Sequence, residues 1–71
     1  MGVYVFKTDI KSALLIELVK PLLNSYKDIL DWSIDIEDID NVLRVVSVEL
    51  MENDIVQIIK NQGFICETLP D

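Results

Sequence analysis

The chain has 71 residues, with 13 Asp and Glu against 6 Lys and Arg, one Cys and no His. Half of it is apolar (51%), so a packed globular domain is expected instead of a disordered acidic tail. This inventory excludes a disulfide framework, which needs paired cysteines. It also excludes a zinc site of the usual His and Cys kind, and a net charge of −7 opposes generic binding to a phosphate backbone.

The length suits a single domain spanning 1–71. Val3–Lys7 is short, apolar and β-prone, and is predicted as the first strand. Thr8-Asp9 offers a helix N-cap, with Ser12 three residues beyond Asp9. A helix is predicted over Ile10–Asn24, where Ile10, Leu14, Leu18 and Leu22 recur every four residues beside Leu15, Val19 and Leu23. Pro21 should kink this helix or bring it to a close, because it cannot donate to the Glu17 carbonyl.

The second strand is the plainest feature of the chain. Leu30, Trp32, Ile34 and Ile36 alternate with Asp31, Ser33, Asp35 and Glu37, giving one apolar and one acidic face. Asp38–Asn41 supplies a turn, and Val42–Val48 returns as a third strand in a hairpin. A second helix begins at Asn53-Asp54, with Ile55, Ile58, Ile59 and Gln62 on one face and Gly63 as its stop. Phe64–Thr68 closes the chain as a short strand.

The order βαββαβ specifies an α+β, ferredoxin-like fold: a four-stranded antiparallel sheet with two helices on one face. Strands one and three would be central, and strands two and four would be edges. The acidic row on strand two suits an edge, where charge discourages stray pairing. Strand one is apolar at Val3 and Val5 as well as at Tyr4 and Phe6. Strand three is apolar at Leu43 and Val45 as well as at Val42, Val46 and Val48. Whichever set meets the helices, the uncovered face keeps an apolar patch, and such patches often mark association surfaces. Tyr4, Phe6, Trp32 and Val46 are the residues expected at such an interface, with the strand-two edge as a further contact for a homodimer or another protein.

Charge is unevenly placed. Residues 1–27 carry four lysines against Asp9 and Glu17, whereas residues 28–71 carry eleven acids against Arg44 and Lys60. Six of those acids fall between Asp28 and Asp40, and a solvated hairpin is the expected reading. The chain opens without a basic signal region, and no apolar run approaches the ~20 residues of a membrane span, so a cytoplasmic location is expected.

The segment from Ile55 to Leu69 resembles the end of heavy-metal-associated domains, the family of copper metallochaperones and of the soluble modules of metal-pumping ATPases. Ile55-Val56, Ile59, Gly63-Phe64 and Leu69 carry the likeness, and the element order and length extend it over the whole chain. The resemblance implies a Met-x-Cys-x-x-Cys loop between the first strand and the first helix, whose thiolates hold a soft ion. Here Lys7 stands at the Met position, Asp9 at the first Cys and Ser12 at the second. Both thiolates are missing, and Asp9 and Ser12 are expected to cap the helix. Cys66 remains, and is expected to be a buried small hydrophobe.

Other chemistries find little support. Asp35, Glu37, Asp38 and Asp40 lack the glycine and distal Glu of an EF-hand loop. Tyr4, Phe6 and Arg44 lack the aromatic third-strand signature of an RNA-binding sheet. Without His, a Cys–His pair or a Gly-rich phosphate loop, the common catalytic sets cannot be assembled. The expectation is therefore a non-enzymatic interaction or self-association domain without a cofactor, and without nucleic acid or membrane as partner. A divergent metal carrier using Asp9, Ser12 or Cys66 is the alternative.

Overall fold

The computed structural model describes residues 1–69. Its elements are β1 (Gly2–Thr8), α1 (Ala13–Asn24), β2 (Ile29–Asp35), β3 (Val42–Ser47), α2 (Glu52–Lys60) and β4 (Cys66–Thr68). The four strands form one antiparallel sheet in the order β2-β3-β1-β4, so β1 and β3 are central. The ferredoxin-like arrangement expected from the element order is the one found.

The register decides which side of the sheet is covered. Tyr4 pairs with Val45 and Phe6 with Leu43, so these four share a face. Phe6, Leu43, Val45 and Ser47 are buried with Val19 and Leu23 of α1 and Ile55, Val56 and Ile59 of α2. Tyr4, Ile29, Trp32 and Ile34 pack against this core from the same side. Tyr4 also explains the residue two before it: a Cβ on Gly2 would come within 2.5 Å of the Tyr4 hydroxyl.

Helix α1 starts later than the periodicity predicts. Ile10 is fully buried, but its N–H donates to Thr8 Oγ1 (3.1 Å), which holds 8–10 as a turn. The cap is Ser12, whose Oγ accepts from the Leu15 N–H at 3.2 Å. The helix continues through Pro21 to Asn24. Pro21 and Glu17 lie on the exposed side, where water can take the freed carbonyl. Of the apolar stripe Ile10, Leu14, Leu18 and Leu22, the middle two face outward, because the buried face is centred on Val19 and Leu23.

Strand β2 departs from strict alternation. Ile29 pairs with Ser47 and Asp31 with Val46, so Leu30 is an inserted residue and lies exposed. The bulge lets Ile29, Trp32 and Ile34 all turn inward while Asp31, Ser33 and Asp35 turn out. The strand ends at Asp35, because Asp35 and Asp38 each accept the N–H two residues on, from Glu37 (3.0 Å) and Asp40 (2.9 Å). Asn41, at φ 44°, completes the turn and is tied to β1: Thr8 Oγ1 donates to its carbonyl at 2.7 Å.

Helix α2 begins at Glu52, one residue before Asn53-Asp54, with Met51 as N-cap residue, and the Asp54 carboxylate accepts the Met51 N–H at 2.8 Å. Gly63 adopts φ 92° just beyond its end, as the expected stop requires. Strand β4 is shorter than Phe64–Thr68, since Phe64 turns onto the core and the Ile65 N–H is taken by a side chain outside the sheet.

Candidate functional site

Two regions carry the sequence expectations: the loop between β1 and α1, and the uncovered sheet face. In the loop, each candidate side chain already has a partner within the chain. Asp9 does not cap α1. Its Oδ1 accepts the Ile65 N–H at 2.8 Å, tying the loop to the start of β4. Ser12 is the cap. Lys7 lies on β1 with its Nζ 3.7 Å from Asp40 Oδ1, a largely exposed pair of small energetic weight. An Asp oxygen and a Ser oxygen, both engaged with backbone N–H groups, do not fit a soft ion that selects thiolates.

Replacing Asp9 by Ala should leave the Ile65 N–H without its partner and cost about 1–2 kcal/mol in a urea titration. Asp9→Asn, which keeps an acceptor oxygen, should recover most of that loss.

Cys66 sits on β4, opposite Thr8 in the register. It is buried, and burial pushes its thiol from the ordinary 9.0 up to about 11, with Lys60 pulling down and Glu67 pushing up more weakly. The thiol is therefore protonated at neutral pH and neither a ready ligand nor a nucleophile. An aromatic disulfide reagent at pH 8 should label Cys66 only after denaturant is added. The folded chain holds this proton more tightly than the unfolded chain. The resulting stability is complete below about pH 9 and is lost as pH rises towards about 11. The shift corresponds to roughly 3 kcal/mol at most, and Cys66→Ala should lack that part of the alkaline decline.

The uncovered face presents Val3, Val5 and Lys7 from β1, Val42, Arg44 and Val46 from β3, and Asp31, Ser33 and Asp35 from β2. On β4, Glu67 lies opposite Lys7. Val3 is 52% exposed, while Val5, Val42 and Val46 are half-buried by their neighbours alone. Of the four residues expected at an interface, only Val46 is here. Phe6 is fully buried, and Tyr4 and Trp32 belong to the helix-covered side. Trp32 also donates its Nε1–H to Asn24 Oδ1 of α1 at 2.8 Å, which fastens β2 to the helix layer. The expectation grouped residues of both faces, and the register separates them. Val3, Val5 and Val42 are the members of the patch it left out.

The remaining acids divide into solvated and structural. Asp28 belongs by sequence to the solvated acidic segment. Its carboxylate instead accepts the Glu49 and Leu50 N–H groups, at 3.0 and 2.6 Å, and pins the β3–α2 connection. No group of three or more Cys, Asp or Glu side chains placed to hold a metal occurs among the described residues, and no described helix is long and apolar enough to cross a membrane.

Neither a family model nor a curated protein matches the chain. Among solved structures, a chain of the solution structure of the Atx1–Cu(I)–Ccc2a complex matches it with a TM-score of 0.78. The match covers 97% of this chain and 96% of that one, at 24% identity. The two chains share one fold. The likeness read from Ile55-Val56, Ile59, Gly63-Phe64 and Leu69 is thus borne out in architecture over nearly the whole length. That complex contains copper and two proteins; at this identity the match speaks for the backbone alone.

Proposed function

We propose that residues 1–71 form a single non-enzymatic interaction domain of the heavy-metal-associated fold, one whose metal loop has lost its function. It docks a protein through the uncovered sheet face. The observation that carries this reading is the row of Val3, Val5, Val42 and Val46 on the central strands of a face that neither helix covers. An antiparallel sheet with one face in water ordinarily alternates apolar-in and polar-out. β2 obeys that rule beyond its bulge, but β1 and β3 do not. The strand-two edge is the weaker surface, since the Leu30 bulge and the flanking acids both discourage strand pairing.

The loop supports the same reading from the other side. Asp9 and Ser12 hold the fold together where the family holds metal, so cargo transfer through this loop lacks its ligands. The match to a chain of a two-protein complex agrees with a role in protein contact.

A photo-crosslinking residue at Val3, compared with one at Glu17 on the outside of α1, tests the reading in cells. Adducts should form from position 3 only and should vanish in an Arg44→Glu variant. Absence of adducts at position 3, or adducts indifferent to Arg44→Glu, would remove it. Elemental analysis tests the metal alternative: the purified protein should hold copper, zinc and magnesium far below stoichiometry, and Asp9→Ala should leave that content unchanged.

A further inference from the structure

We infer that the uncovered face is shaped for an amphipathic α-helix whose apolar ridge is bordered on both sides by Lys or Arg. This rests on the reading of that face as a docking surface and names the chemistry of its occupant. The register sets out the surface in rows across the strands. Val3 and Val46 lie beside Asp31, and Val5 and Arg44 lie beside Ser33. Val42 lies beside Asp35, while on the β4 side Lys7 lies beside Glu67. The apolar positions thus form a strip centred on these two strands, with Leu69 beside Val5 on the β4 side, where its N–H donates to the Val5 carbonyl at 3.0 Å. Carboxylates border it on both edges, Asp31 and Asp35 on β2 and Glu67 on β4.

The strip's width selects the occupant. Two neighbouring strands lie ~4.8 Å apart, so the strip matches the ridge of one helix about 10 Å across. The flanks of such a helix would lie over β2 and β4, where the acids are, and cationic side chains there would be complementary.

A second copy fits less well. Face-to-face packing about a two-fold axis along the strands sets β2 of one copy over β4 of the other, bringing Asp31 and Asp35 towards Glu67. An axis across the strands sets Arg44 against its own copy and Asp31 against Asp35. Both arrangements oppose like charges, which is unfavourable in a buried contact. Arg44 supplies the remaining feature. It is exposed in the middle of the strip and has no carboxylate within 4.0 Å among the described residues. A single acid on the ridge of the bound helix would pair with it and set its position.

The test uses the full chain and three labelled synthetic peptides of about 18 residues, long enough for a stable bound helix. One has a Leu and Ala ridge flanked by Lys. The second has the same composition in scrambled order, and the third has the same ridge flanked by Glu. In fluorescence anisotropy at physiological salt, the Lys-flanked peptide should bind at least about tenfold more tightly than the other two. The Val3→Ser/Val46→Ser variant should weaken it by about tenfold, and Asp31→Asn/Asp35→Asn by roughly threefold or more. Leu14→Ser/Leu18→Ser, on the outside of α1, should leave it unchanged. Circular dichroism establishes that each variant is folded.

Equal binding of the scrambled peptide, or indifference to the serine pair, would overturn the inference by reducing it to charge attraction alone. Equal binding of the Glu-flanked peptide would also overturn it while leaving the face as an interface. Loss of the Val3 cross-link would instead remove the underlying reading.

Discussion

Phe6→Ala is expected to cost about 3–5 kcal/mol, the range for removing a buried aromatic ring from a core that cannot close over the gap. Phe6 is fully buried, on a central strand between Leu43 on β3 and Thr68 on β4. A domain of this size has a total stability of roughly 4–11 kcal/mol, so the variant should be largely unfolded near body temperature or show a sharply lowered urea midpoint. Val46→Thr, on the same sheet but the other face, should change stability by less than about 1 kcal/mol. The contrast tests the assignment of faces directly. A cost at Val46 rivalling that at Phe6 would mean that the uncovered face is packed against something in solution.

Asp28→Ala is expected to cost about 2–3 kcal/mol, more than an exposed carboxylate ordinarily contributes. The side chain accepts the N–H groups of Glu49 and Leu50, and its own carbonyl accepts the Val48 N–H at 3.0 Å. The β3–α2 connection therefore hangs on this one residue, helped by Ser47 Oγ donating to the Leu50 carbonyl at 2.7 Å. Removing the carboxylate takes a charged acceptor from the exposed Glu49 N–H and the part-buried Leu50 N–H, while Asn keeps one acceptor oxygen and should lose about half as much. Amide exchange at Glu49 and Leu50 should quicken in Asp28→Ala before the rest of the chain responds. Uniform quickening across the sheet would show that the contact has no local role.

The positions where the sequence misleads share a cause. Alternation in β2 is readable because acids mark one of its faces, and the structure departs from it at the Leu30 bulge and beyond Asp35, where Ile36 and Glu37 lie in the turn. On β1 and β3 both parities are apolar, so no local signal tells Tyr4 and Phe6 from Val3 and Val5. The choice is made by the pairing of Phe6 with Leu43 under the two helices. That is why the expected interface mixed covered and uncovered residues. The carboxylates behave alike: Asp9 and Asp28 have the composition of solvated or capping groups, and their actual partners lie 56 and 21 or more residues away.

The sequence by itself determined the order of elements and, through it, the fold shared with the copper-complex chain. It also determined that the β1–α1 loop offers the oxygens of Asp9 and Ser12 and no thiolate, and it placed Cys66 as a small buried hydrophobe. Those follow from period, turn chemistry and residue type, which act over a few neighbours. The tertiary structure decided which face of the sheet stays open, where β2 bulges, and which acids are bound to backbone N–H groups. Each of these depends on what strand pairing and helix packing bring close, and an apolar central strand or a lone carboxylate carries no mark of that in its immediate neighbours.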